Sequence, residues 1–253
     1  MNINILTIFP EIFDVLNSGV ISKAINKNIL SINKIDIRKN AVNKHNHIDS
    51  KPYGGGEGMV MMIEPIVKSL NQINNKKLGK VIYLSPQGKK LNQKKVISLS
   101  KLKNLTIICG RYEGIDQRII DNYVDEEISV GDFILSGGEY AAICLIDAIS
   151  RQIPGTLGNK DSYLNDTFSN GLLKGDVYTK PEEYQSFKVP KVLLSGNHKK
   201  IDDWRLETSL FKTLIKRPDL IDKAKLTKKQ KKLLEELRSK AILEPFLGEY
   251  YER

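Results

Sequence analysis

The strongest constraint on this chain is its alternation of short apolar runs with stretches of helical period. Residues 2–9, 30–38, 80–85, 105–109 and 124–130 are strand-length and rich in Ile, Leu and Val. Helical patterns fall between them over 11–26, 64–74 with Pro65 in the first turn, 92–102, 114–122 and 139–151. This alternation predicts an α/β fold, a mainly parallel sheet with helices on both faces. Ligands of such sheets are held by loops at the carboxyl ends of the strands.

After Ile153-Pro154-Gly155 the character changes. Residues 156–176 are rich in Gly, Asn, Asp and Ser, as in a linker or functional loop, and residues 197–216 and 227–240 are lysine-dense helical stretches. The expected organisation is an α/β domain over 1–158, a linker over 159–170 and a small, basic, helical domain over 171–253. At 40% hydrophobic and 28% charged residues, the composition is globular rather than disordered or collagenous. The longest apolar stretch, 140–146, is too short to span a bilayer, and Met1-Asn2-Ile3-Asn4 lacks a charged n-region, so no membrane attachment and a cytoplasmic location are expected. Cys109 and Cys144 lie in apolar runs that favour reduced, buried thiols.

The net charge is +10, and half of the excess lies beyond residue 198, where 15 Lys and Arg face 10 Asp and Glu. Such an excess suits a polyanionic partner, because cations that meet phosphates release condensed counterions. A lysine-rich proteome would give the same excess without that partner, so motifs must decide.

Familiar motifs are absent. Tyr53-Gly54-Gly55-Gly56-Glu57-Gly58 lacks dinucleotide-loop spacing, Gly88-Lys89-Lys90 lacks the rest of a P-loop, and Ser136 lacks the glycine of a nucleophile elbow. His45-Asn46-His47-Ile48-Asp49 reads as a solvated loop rather than a metal site. Three glycine-bearing loops do follow strand-like runs: Tyr83-Leu84-Ser85-Pro86-Gln87-Gly88, Cys109-Gly110-Arg111-Tyr112-Glu113-Gly114, and Ser129-Val130-Gly131-Asp132-Phe133-Ile134-Leu135-Ser136-Gly137-Gly138-Glu139. Glycine there would let backbone groups approach a ligand closely, although a tight turn would account for any one of them.

These strings, with Pro52-Tyr53-Gly54-Gly55-Gly56, Leu145-Ile146-Asp147-Ala148, Asp166-Thr167-Phe168, Tyr178-Thr179-Lys180-Pro181 and Trp204-Arg205, resemble the bacterial tRNA (guanine-N1)-methyltransferases in order along essentially the whole chain. The resemblance implies a deep C-terminal trefoil knot in the sheet, an exception to the unknotted rule. It implies S-adenosyl-L-methionine held in the knot loops, a homodimer with a shared active site, and methylation of the guanine immediately 3′ of the anticodon. The three loops would bind the cofactor, while Tyr53, Gly54, Gly55, Gly56 and His45 would meet the anticodon stem-loop of the tRNA and the second domain its phosphates. Guanine N1 must lose a proton to attack a methyl carbon, and Asp166 matches the family's general base, with Arg151 supporting it. An N-cap is the alternative reading of Asp166, and a simple ion pair with Arg111 is that of Glu113. Related sequences usually carry an acidic residue where Lys174 stands and Asp where Asn170 stands, so the expectation of a divalent cation is weakened. Two competing readings are a non-catalytic RNA-binding protein, which would have no cofactor affinity, and a knotted methyltransferase acting elsewhere on RNA.

Overall fold

The computed structural model describes residues 1–41, 47–157, 167–168 and 171–243, which form two compact units, Met1–Lys160 and Asp161–Arg253. In the first, β1 (Asn2–Thr7), β2 (Ser31–Asp36), β5 (Lys80–Lys90), β6 (Asn104–Cys109) and β7 (Glu126–Ser129) make one parallel sheet in the order β2-β1-β6-β5-β7. A separate antiparallel pair joins β3 (Asp49–Ser50) to β4 (Val60–Met61).

Alternation of side chains along each strand sorts the core into two layers. Ile3, Ile5, Ile82, Leu84, Leu105 and Ile107 face α1 (Gly19–Asn26), α4 (Gln93–Ser100) and α6 (Gly138–Gln152). Leu6, Val81, Tyr83 and Ile108 face α2 (Ile63–Asn71) and α5 (Gln117–Tyr123). Helices therefore cover both faces, as the pattern predicts.

Two local differences have clear causes. The helical period over 11–26 is broken into a 3-10 helix, Pro10–Asn17, and α1, because Ser18 is extended and Gly19 takes a φ of +65°. Cys144 is exposed rather than buried: on α6 the residues facing the sheet are Ala141, Ala142, Leu145, Ile146 and Ile149, and position 144 falls on the opposite side.

β5 is longer than its sequence pattern. Its pairing with β7 jumps from Leu84 to Lys89, so Ser85-Pro86-Gln87-Gly88 bulges out of register and Lys89 and Lys90 resume the ladder. Just before β5, the short α3 (Asn75–Leu78) is tied to the sheet by Asn4, whose Nδ2 donates to Lys77 O (2.9 Å), and by Thr106, whose Oγ1 donates to Leu78 O (2.5 Å). The chain then turns through Gly79 at φ +63°, where a Cβ would lie 2.2 Å from the backbone oxygen of Asn104.

The second unit carries an antiparallel hairpin of β8 (Glu183–Tyr184) and β9 (Phe187–Lys188), then α7 (Lys191–Leu194), α8 (His198–Lys216), α9 (Pro218–Ile221) and α10 (Lys228–Leu243). Its small core is built on Leu172, Leu210, Ile221, Leu234 and Leu237. No helix among the described residues is long and apolar enough to cross a membrane.

Gly79→Ala should lower stability by about 2 kcal/mol or more, since the new methyl group meets backbone that cannot yield and φ is unfavourable. Urea unfolding should show this as a lower midpoint at unchanged slope.

Candidate active site

The loops leaving β5, β6 and β7 come from three adjacent strands and enclose one cleft of about 410 Å³. Tyr83, Leu84, Ser85, Pro86 and Gln87 line it from the first loop, and Gly110, Arg111, Tyr112 and Glu113 from the second. Val130, Gly131, Phe133, Ile134, Leu135, Gly137 and Gly138 line it from the third. Gly88 and Asp132 do not. Gly88 is pressed against β7, where a Cβ would stand 2.5 Å from Glu127 C and Ile128 N, and Asp132 turns outward to pair with Lys90.

A buried ion pair fastens the second and third loops to each other and to β1. Glu139, in the first turn of α6, is fully buried; its Oε2 accepts from Arg111 Nε (2.9 Å) and its Oε1 from Thr7 Oγ1 (2.9 Å). Arg111 also donates through Nη1 to Ser136 O (3.0 Å) and stacks over the Phe9 ring at 4.7 Å. The partner of Arg111 is thus Glu139 rather than Glu113. A Cβ on Gly137 would lie 2.2 Å from Arg111 Nε, and one on Gly138 3.0 Å from Cys109 Cα, so these glycines admit the protein's own packing as well as any ligand. The reason given by the sequence for their presence was therefore incomplete.

Tyr83 shows the same economy. Its hydroxyl reaches the second loop, where a Cβ on Gly110 would sit 2.7 Å from Tyr83 Oη. Burial, and secondly the negative charge of Glu127, push its pKa up to about 12. Burial and then Glu139 likewise push the Cys109 thiol well above its ordinary value, which leaves it an inert core side chain.

The glycine loop before β4 adjoins this cleft. Glu113 N donates to Met59 O (2.9 Å) and Met61 N to Gly114 O (3.0 Å), while a Cβ on Gly58 would lie 2.6 Å from Glu113 Cγ. Glu113 therefore stands at the seam between cleft and loop. Beyond it Tyr53 is fully exposed, and Gly54, Gly55 and Gly56 have φ of +84°, +82° and +127°. A ring offered to solvent on such backbone is available for stacking on a base.

The tRNA (guanine-1)-methyltransferase TrmD family model matches residues 1–223. Proteins named tRNA (guanine-N(1)-)-methyltransferase from Fusobacterium nucleatum, Buchnera aphidicola and Clostridium novyi are 50%, 49% and 52% identical over 96%, 95% and 93% of the chain, covering 100%, 98% and 97% of their own lengths. The chain belongs to this tRNA (guanine-1)-methyltransferase family.

The TrmD family match covers the first unit and continues into the second as far as residue 223, and the cleft has the volume and lining expected of a nucleoside site: apolar walls from Leu84, Ile115, Ile128 and Val130, glycine backbone, and a few polar groups. The donor set fits S-adenosylmethionine, which combines a flat base, a diol and an amino acid. One carboxylate oxygen of the cleft, Glu127 Oε2, is shut from solvent with no hydrogen-bond partner among the described residues. Glu127, Gln117, Ile120 and Ala141 line the cleft without belonging to any motif, and Ser129, which opens the third loop, lines it too. Register alone could have found Glu127, which lies directly across from Tyr83.

Arg151 occupies the last turn of α6, whereas Gly138 and Ala141 of its first turn line the cleft. Asp166 and His45 lie outside the described residues. Among the described residues no group of three or more His, Cys, Asp or Glu is placed to hold a metal ion.

Glu139→Ala leaves the Arg111 guanidinium buried without its carboxylate and should cost about 3–5 kcal/mol in urea unfolding. For Tyr83, the unfolded chain releases the phenol proton near pH 10, while the folded chain keeps it to about pH 12. The folded state thus binds the extra proton in that window, so stability is full below about pH 10 and falls towards about pH 12. Tyr83→Phe should flatten this fall, as measured by urea midpoints between those limits.

Proposed function

We propose that this chain transfers the methyl group of S-adenosyl-L-methionine to N1 of the guanine immediately 3′ of the anticodon of tRNA. The observation that carries the reading is the convergence of three motif loops from neighbouring strands on one cleft, in a chain of the tRNA (guanine-1)-methyltransferase family. When bound there, the cofactor supplies an electrophilic methyl group on a sulfonium.

The protein's own residues do the rest. Leu84, Ile115, Ile128 and Val130 exclude water from the nucleoside, and the pinned loops hold it without reorganisation at the moment of reaction. Asp166 accepts the proton of guanine N1 as that nitrogen bonds to the methyl carbon and the sulfur–methyl bond breaks. Arg151 keeps the carboxylate oriented and ionised. Glu113, at the seam, reads the base edge, and Tyr53 with Gly54 to Gly56 and His45 receive the displaced nucleotide.

Two copies are needed for such a site. α6 has 15 residues, so at about 1.5 Å per residue its ends are about 20 Å apart, further than the Arg151 side chain extends towards its own cleft. Phe133, Ile134 and Leu135 at the cleft mouth and Tyr140 on α6 are exposed, Ile134 to 82%, as apolar side chains awaiting a protein surface are. The homodimer thus brings Arg151 and Asp166 of one copy to the cleft of the other. The finer organisation proposed is a trefoil-knotted cofactor domain over 1–158, a linker over 159–170 carrying the base, and a tRNA-binding domain over 171–253. In the last, lysines of α8 and α10 meet phosphates, which position RNA without specifying sequence. A divalent cation is not required by this scheme.

Asp166→Ala should reduce methyl transfer to unmodified tRNA by a factor of about 100 or more, while cofactor affinity changes little, because a proton acceptor acts in the transition state. Mixed dimers of Asp166→Ala with Gly137→Trp should regain part of the activity, since one of their two sites keeps both base and cleft. Nucleoside mapping with labelled cofactor checks both; full turnover by Asp166→Ala would remove the base, and inactive mixed dimers the shared site.

A further inference from the structure

The acidic pair Glu126-Glu127 opens β7, and strand alternation sends its two carboxylates to opposite faces. Glu126 is satisfied: Lys80 Nζ lies 2.6 Å and Lys95 Nζ 2.5 Å from its oxygens, and the two cations hold its carboxyl below the usual range despite partial burial. Glu127 points instead to the face of Tyr83, its partner in the ladder, and lines the cleft. There Oε2 has no hydrogen-bond partner among the described residues. A buried acceptor left in this state costs free energy comparable to a lost hydrogen bond, and more when it carries charge.

Several of the nearby donors among the described residues are engaged elsewhere. The Arg111 guanidinium is committed to Glu139 and Ser136 O, the Gln117 amide donates to Asp121 Oδ1 (2.8 Å), and the Ser129 hydroxyl donates to Gly131 O (2.9 Å). Lys90 is paired with Asp132, and Arg118 with Asp116. A buried carboxylate oxygen that faces a cleft with no partner of its own is placed for a donor on a ligand.

Resting on the cofactor reading above, we propose that Glu127 is a specificity residue of the cleft: its buried Oε2 takes a hydrogen bond from a donor on the bound cofactor. The cofactor has donors at its nucleoside end, in the ribose hydroxyls and adenine amino group, and at its amino-acid end, in the ammonium. A carboxylate accepts from either, and the charge-assisted bond accounts for an acidic residue where a strand facing apolar neighbours would ordinarily carry Val or Ile. The cost of the unpartnered oxygen in the free protein is recovered when the ligand arrives.

The test uses the full chain and its Glu127→Gln and Glu127→Met variants, titrated calorimetrically with S-adenosylmethionine, S-adenosylhomocysteine and 5′-methylthioadenosine, the last lacking the amino-acid end. Both variants should bind S-adenosylmethionine about 10- to 100-fold more weakly, the range of one charge-assisted hydrogen bond. Their melting temperatures without ligand should equal or exceed that of the parent, because an unpartnered buried acceptor has been removed. Weaker binding of all three ligands assigns the donor to the nucleoside; weaker binding of only the two that keep the amino acid assigns it to the ammonium, and either supports the proposal. Unchanged affinities for all three, beside normal binding by the parent, would overturn it and leave the cofactor reading standing. A fall in melting temperature that accompanies the affinity loss would also overturn it, showing that Glu127 merely holds the wall. No binding of S-adenosylmethionine by the parent would remove the cofactor reading and this inference together.

Discussion

The carboxylate of Glu139 is the interaction on which the rest of the site depends. It is fully buried at the start of α6, and it joins three parts of the chain far apart in sequence: Thr7 at the end of β1, Arg111 after β6, and through Arg111 the carbonyl of Ser136 after β7. A negative group in the first turn of a helix is favoured by the helix dipole, and a buried charge is tolerated only with its hydrogen bonds complete. Both conditions are met here. The result is that the second and third loops of the cleft are set before any ligand arrives.

The three carboxylates around the sheet edge illustrate how scaffold and site are separated. Glu126 is held by two lysines on one face, and Glu139 is held by an arginine and a threonine in the interior. Glu127 alone is left with an open acceptor, and it is the one that faces the cleft. Glycines divide in the same way. Gly88, Gly137 and Gly138 make room for neighbouring backbone or for Arg111, whereas Gly54 and Gly55 meet nothing within 4 Å and shape an exposed loop. Residues of one type thus tie the scaffold in one place and stand open at its surface or cleft in another, and only their surroundings tell which.

Much of this was legible beforehand, because it rests on local periodicity. All five strands of the main sheet, α2, α4, α5 and α6 fall where the apolar pattern places them, to within a few residues at their ends. The pattern failed where single residues override it. Ser18 and Gly19 interrupt a helical period that reads as continuous, and the two-residue strands β3, β4, β8 and β9 are too short to carry an alternation at all. Strand order is set by long-range pairing, so nothing in the spacing of the runs reveals that β6 lies between β1 and β5. The motif loops marked most of the cleft. They could not mark Glu127 or Gln117, whose places follow from sheet register and helix phase, nor show that Arg111 works chiefly as a structural tie.

If the three loops, the second and third of them fastened by Glu139 and Arg111, act as one cofactor-binding unit, a ligand must order them together. Hydrogen exchange of the full chain with and without S-adenosylmethionine tests it most directly, because amide protection reports each loop separately. The ligand should slow exchange together in residues 83–88, 110–115 and 130–138, with α8 and α10 unchanged. Protection confined to one loop, or appearing in the second unit alone, would contradict it.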